Sequence, residues 1–233
     1  MNVKAVIFDL DGTLASFNLD YKTIRAEVRV YLMSAGVPAS VLSVNESIFE
    51  MLKKTEIFIK NSGKSAKIRE RIRNEALSIA EKYELEAAKN TSLLPGVVET
   101  LKSLKLLKIK IGLFTLNSEK SVDYILKSFK LSGFFEAIVP RDKVDYVKPH
   151  PEHLAAAMKM VGFSAASTVV VGDSAVDMRS AKELKAIAIG LPTGVSTQDQ
   201  LVSSGANYII TSITDLPVLI EKLNKTADIK DEA

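Results

Sequence analysis

Three short apolar runs rich in β-branched residues each stop at a polar cluster: Val3–Phe8 at Asp9, Ile109–Phe114 at Thr115, and Thr168–Val171 at Gly172-Asp173. Such runs, barely broken by polar residues, belong to strands buried on both faces, which parallel sheets provide. Helical periodicity fills the intervals, through Val97, Leu101, Leu104 and Leu107, through Ser121 to Phe129, through Leu154, Met158 and Val161 behind Pro151, and through Met178 and Leu184. Strand and helix in alternation predict an α/β fold with a doubly wound parallel sheet. Ala137–Val139, Ala186–Ile189 and Tyr208–Ile210 add short strands, and a helix from Asp215 to about Leu223 closes the domain. Ligands bind such sheets at the carboxyl ends of the strands, where each polar cluster falls.

One long stretch breaks the alternation. Tyr21, Ile24, Val28, Tyr31 and Leu32 share a helical face. A second helix is predicted after Pro38, carrying Val41, Leu42, Ile48, Phe49, Met51 and Leu52. A third, with Ile68, Ile72, Ala76, Ile79 and Tyr83, follows the break Asn61-Ser62-Gly63. The expected organisation is a core of residues 1–15 and 91–225, an inserted all-helical domain at 16–90, and a frayed tail at 226–233. With 233 residues, 47% of them hydrophobic and 25% charged, the chain can bury such a core. The absence of cysteine excludes disulfides, thiol catalysis and cysteine-bound metal, and it fits a cytoplasmic protein. The start of the sequence has neither the apolar length nor the cleavage site of a signal peptide and no apolar run reaches the length of a membrane span, so neither a leader nor a membrane partner is expected. The net charge of +3 gives no reason to expect nucleic acid. All of that excess lies between Ala15 and Asn90, which holds 13 Lys and Arg against 10 Asp and Glu.

The chemistry concentrates at the strand ends. Side chains two apart on an extended chain point the same way, so Asp9 and Asp11 face one pocket, and two carboxylates that close call for a cation. Gly12 permits a sharp turn, and Thr13 contributes a hydroxyl and a free amide. Asp173 ends another strand and Asp177 lies in the first turn of the next helix, where Asp173 could simply be a cap and Asp177 could simply favour the helix dipole. With Asp9 they form an all-oxygen set without His or Cys, suited to Mg²⁺ before Zn²⁺. Thr115 and Asn117 offer a hydroxyl, a side-chain amide and helix N-terminal amides to phosphate oxygens, or simply start a helix. Lys148, in Lys148-Pro149-His150-Pro151, is a counter-charge for such a pocket or an ordinary solvated lysine. His150 and His153 read as loop and helix-surface residues.

Asp9-Leu10-Asp11-Gly12-Thr13, Thr115, Lys148-Pro149 and Gly172-Asp173-Ser174-Ala175-Val176-Asp177 together resemble the four motifs of the haloacid dehalogenase-like superfamily of phosphohydrolases, in order and spacing across nearly the whole chain. The helical insert is similar to the cap of its phosphoglycolate phosphatase and β-phosphoglucomutase-like members. The resemblance implies a Rossmann-like core and a phosphatase of small phosphate esters. It implies that Asp9 is the nucleophile and Asp11 the acid and base. Mg²⁺ would be held by Asp9, the Asp11 carbonyl and Asp173, with Asp177 supporting, and Thr115 and Lys148 would hold the phosphoryl group, beside Asn117, which the residue types alone offer as a further donor. Leu106-Leu107-Lys108 departs from the glycine that commonly ends the helix before the second strand in that family. A phosphomutase would use the same residues, and a non-catalytic binding protein could share the fold. A dehalogenase is disfavoured because its chemistry needs no metal and no acid at position 11.

Between Lys53 and Arg73 eight basic residues face two acids. They form a solvated helix face, or else Lys64 and Arg69 bind a second anionic group of the substrate. A monomer or homodimer is expected.

Overall fold

The computed structural model describes residues 2–16 and 18–231, apart from the side chains of 226–231. The chain divides into two compact units, Met1–Asn18 with Asn90–Ala233, and Leu19–Lys89. In the first unit β1 (Ala5–Phe8), β2 (Lys110–Phe114), β3 (Ala137–Val139), β4 (Thr168–Gly172), β5 (Ile187–Gly190) and β6 (Tyr208–Ile209) form one parallel sheet in the order β3-β2-β1-β4-β5-β6. Every residue of β1 and β4 is buried, which is why both read as unbroken apolar runs. The register sets Phe8 beside Leu113 on one side and Val171 on the other, so the strands end nearly level. The order of connection reverses between β1 and β4, and that switch point opens a crevice at their carboxyl ends.

The second unit is α1 (Tyr21–Ser34), α2 (Ile48–Asn61) and α3 (Ala66–Lys89), packed through Ile24, Val28 and Leu32, Met51, Leu52 and Ile59, and Ile72, Ala76 and Ala80. The helix predicted directly after Pro38 is corrected. Pro38 leads only into a 3-10 turn at Ala39–Val41, and α2 begins at Ile48 behind a capping box in which Ser47 and Glu50 satisfy each other's amides. That Ser-x-x-Glu signal is present in the sequence.

Returning to the first unit, the sheet is flanked by α4 (Val97–Leu106), α5 (Glu119–Ser128), α6 (Pro151–Val161), α7 (Ala175–Glu183), α8 (Gln198–Ser204) and α9 (Leu216–Asp231). Helix α8 was not anticipated, although Thr197 and Gln200 form its capping box. Helix α9 runs past the expected stop at Leu223, because no Gly or Pro interrupts the sequence as far as Asp231. Residues 232 and 233 of the expected tail lie outside the described residues. Among the described residues no helix is long and apolar enough to cross a membrane.

Candidate active site

Strand β1 delivers Asp9 to the crevice by prolonging its ladder one residue, with the Asp9 amide donating to Val171 O at 2.9 Å. The chain then curls over the Leu10 carbonyl, which accepts from the amides of Thr13 (3.3 Å), Leu14 (2.8 Å) and Ala15 (2.9 Å). Gly12 makes this turn possible with φ 73°, a conformation in which a Cβ would also lie 2.6 Å from Asp173 Oδ2. The Thr13 amide is therefore not free, as the sequence reading had it, and its buried hydroxyl has no hydrogen-bond partner.

Asp9, Asp173 and Asp177 bring carboxylate oxygens within 4.8 Å of one another, all three buried. Asp11 stands outside that cluster, half-buried in the turn. Lys148 lies among the acids. Its Nζ is 2.7 Å from Asp9 Oδ1 and 2.6 Å from Asp177 Oδ1, with 1% of the side chain exposed. The ammonium also packs on the face of Phe114, 4.1 Å from the ring centre. The alternative of a solvated lysine is thereby removed.

Asp177 serves two purposes at once. Its Oδ2 accepts from the Ser174 amide at 3.1 Å and from the Ser174 hydroxyl, completing the capping box of α7, while Oδ1 holds Lys148. Asp173 is fixed by a segment that sequence reasoning missed, the loop after β5. Val195 N donates to Asp173 Oδ2 at 2.8 Å, Ser196 N to Asp173 O at 3.3 Å, and the Thr193 hydroxyl to Gly12 O. A Cβ on Gly194 would sit 1.9 Å from Asp173 Oδ2, so this close approach requires glycine. A Pro-Thr-Gly turn signal marks the loop, but nothing local says that it folds against Asp173.

The electrostatics follow from three buried acids sharing one ammonium. Burial, aided by the charge of Asp177, pushes the Asp9 carboxyl up to about 6 against the pull of Lys148. Burial and then the charges of Asp9 and Asp177 push Asp173 up to about 8. Burial works against a charged Lys148, yet Asp177 and Asp9 outweigh it and raise the amine to about 12. The cluster is thus short of positive charge, and its donors are all oxygen. Both properties fit a hard divalent cation, for which Asp9 and Asp173 are the available ligands, with Asp177 already committed to Lys148 and Ser174.

Thr115 and Asn117 line up after β2, buried, with the Thr115 amide on Val139 O at 3.1 Å and Thr115 Oγ1 accepting from the Asn117 amide at 3.3 Å. They do not carry the first amides of a helix. Helix α5 starts at Glu119, where the Glu119 amide is taken by Asp142 (2.6 Å) and the Ser121 amide by its cap Ser118 (3.3 Å). The turn is clamped by Arg141, a buried residue that sequence reasoning passed over. Its main-chain amide donates to Asn117 O at 3.2 Å and its guanidinium to Leu116 O at 3.0 Å. His153 is a further correction, fully buried and not on a helix surface. In the helical unit Lys64 is exposed, and Arg69 donates to the Lys64 carbonyl at 3.2 Å. A groove of about 480 Å³ on that unit is lined by Lys67, Ile68, Arg71 and Asn74, and neither Lys64 nor Arg69 contributes to it.

Residues 6–190 match the haloacid dehalogenase-like hydrolase family. The chain belongs to the haloacid dehalogenase-like hydrolases. Among its relatives in that family is the pyrophosphatase PpaX of Bacillus mycoides, 25% identical over 233 residues that cover 96% of this chain and all of that protein. The phosphoglycolate phosphatase of Pseudomonas syringae pv. tomato is 30% identical over 218 residues, 91% of this chain and 78% of that one. The crystal structure of a hydrolase from Pseudomonas syringae is similar with a TM-score of 0.65 and 26% identity, covering 94% of this chain and 98% of that one. The six-stranded core is the Rossmann-like sheet of this haloacid dehalogenase-like family.

Proposed function

We propose that this hydrolase is a Mg²⁺-dependent phosphatase of a small phosphorylated metabolite, of the phosphoglycolate or sugar-phosphate kind, working through an aspartyl-phosphate. The observation that carries this reading is the ammonium of Lys148 held between Asp9 and Asp177 with Asp173 in the same cluster. In the first step a carboxylate oxygen of Asp9 forms a bond to phosphorus as the ester P–O bond breaks, and Asp11 gives its proton to the departing oxygen. In the second step Asp11 takes a proton from water. The water oxygen bonds to phosphorus, the bond from phosphorus to Asp9 breaks, and inorganic phosphate leaves. Lys148 neutralises charge on the transferring group, and the hydroxyl of Thr115 and the side-chain amide of Asn117 orient its oxygens. Asp9, Asp173 and the main-chain carbonyl of Asp11 would hold Mg²⁺, with Asp177 supporting, and the ion would supply positive charge to offset that of the nucleophile and the phosphate.

The names of the two curated relatives support an ester or anhydride of phosphate as substrate. The inserted helical unit is read as a cap, with Lys64 and Arg69 reaching a second anionic group, and the enzyme as a cytoplasmic monomer or homodimer. The test is release of inorganic phosphate from a panel containing phosphoglycolate, sugar phosphates, nucleotides and pyrophosphate, with Mg²⁺ and with chelator. Asp9→Asn should abolish release and remain folded. Near wild-type release by that variant counts against covalent catalysis, and isomerised sugar phosphate without release would mark a mutase. Lys64→Ala and Arg69→Ala should raise KM for a doubly anionic substrate and leave a neutral aryl phosphate unchanged.

A further inference from the structure

A histidine with both ring nitrogens buried loses free energy unless each finds a partner. His153, at the third position of α6, has both. Its Nε2 lies 2.9 Å from Val139 O, and its Nδ1 accepts the Lys148 amide at 3.3 Å. A carbonyl only accepts, so Nε2 carries the proton and Nδ1 is left as the acceptor that Lys148 needs. Val139 O is also the acceptor of the Thr115 amide, at 3.1 Å. The same ring meets Phe114 edge-on, with centroids 5.6 Å apart at 71°, and Phe114 is the surface on which the Lys148 ammonium rests. Burial, followed by the neighbouring Lys148 charge, holds the imidazole down to about 4, so it stays neutral at working pH.

We propose that His153 is a positioning residue that fixes the main chain of Lys148 and the main chain of Thr115 to each other through the Val139 carbonyl. Lys148 must keep its ammonium at 2.7 Å and 2.6 Å from two carboxylates, and Thr115 faces the same crevice from the next strand end. These residues come from segments over thirty positions apart, and the His153 ring bonds both to the first and to the acceptor of the second. A misplacement of about 1 Å in such groups costs on the order of 100-fold in rate.

The kinetic arm of the test rests on the phosphatase reading, whereas the spectroscopic arms do not. In wild-type protein, imidazole ¹⁵N spectra at neutral pH should show the Nε2–H tautomer of His153, and an Nδ1–H tautomer overturns the proposal. His153→Leu removes both bonds, and His153→Asn restores an acceptor near the Nδ1 position. In the leucine variant, kcat should fall about 10- to 100-fold with KM within about threefold, while amide exchange at Lys148 and Thr115 speeds up at least about tenfold. The asparagine variant, which restores the Lys148 bond and not the Val139 bond, should recover protection at Lys148 and part of the lost kcat, with exchange at Thr115 still fast. Unchanged kcat and exchange in a folded leucine variant overturn the proposal, as does protection of Lys148 in the asparagine variant without any recovery of kcat. Should the leucine variant fail to fold, the tautomer and the asparagine variant decide alone. If wild-type protein releases no phosphate from any ester, the phosphatase reading fails, and the tautomer and exchange results still decide the role of His153.

Discussion

Lys148→Met probes the charge balance at the centre of the site. Methionine fills much of the volume of the lysine stem, so the substitution removes a buried cation with little loss of packing. Asp9 and Asp177, 2.7 Å and 2.6 Å from the ammonium, are left facing each other and Asp173 without it. Breaking a buried ion pair from one side costs about 3–5 kcal/mol, which in a chain of this size lowers Tm by roughly 6–20 °C. The deficit must depend on pH. Asp9 and Asp173 already ionise at about 6 and about 8 in the folded protein, against 3.8 for an ordinary aspartate, and losing the ammonium raises both. A carboxyl whose pKa rises on folding is neutral in both states below its unfolded value. As pH climbs from the unfolded to the folded pKa it withdraws stability. The deficit of the variant relative to wild type should therefore be larger at pH 8 than at pH 5 when both are followed by calorimetry in chelator. Adding Asp177→Asn removes one stranded charge and should recover part of the loss. Equal deficits at the two pH values, or a double variant as unstable as the two single losses combined, would refute the charge argument.

If Asp11 is the acid proposed above, Asp11→Asn should lose about 10²–10⁴-fold with alkoxide leaving groups but less in phosphoenzyme formation from p-nitrophenyl phosphate, and equal losses in that step contradict the proposed role. Chelation should silence turnover and Mg²⁺ restore it, with Ca²⁺ a poor substitute. Since Asp9 and Asp173 must shed protons to bind a cation, Mg²⁺ affinity should strengthen from pH 6 to pH 8 with proton release, and titration calorimetry showing no pH dependence argues against that site. Lys108 occupies a left-handed position, φ 59°, just after α4, where the family resemblance leads one to expect glycine. Lys108→Gly should raise stability by about 0.5–1 kcal/mol, and a lower Tm would show that the lysine is held there by something other than backbone tolerance.

The sheet and the acids at its edge were legible because both depend on short-range rules. A strand covered on both faces reads as an apolar β-branched run, a period of two aims Asp9 into the crevice, and the parallel fold places Thr115 and Asp173 beside it. The break at Gly63 and the proline opening α6 are likewise local. What stayed hidden is what the chain brings together from a distance. No pattern near Gly194 announces that its loop folds against Asp173 and Gly12, since that contact exists only once β1, β4 and β5 lie side by side. Nothing around His153 or Arg141 marks them as buried, because helix period alone does not say which turn of α6 meets β3 or what lies beyond the end of a strand. The start of α2 and the whole of α8 were missed for the opposite reason: each is marked by a capping box in the sequence, and a nearby proline or glycine drew the reading away from it. Residue type and spacing determined which groups this hydrolase can use. Tertiary structure alone decided that one ammonium would lie between two of its acids, and that a neutral imidazole would hold the backbone that carries it.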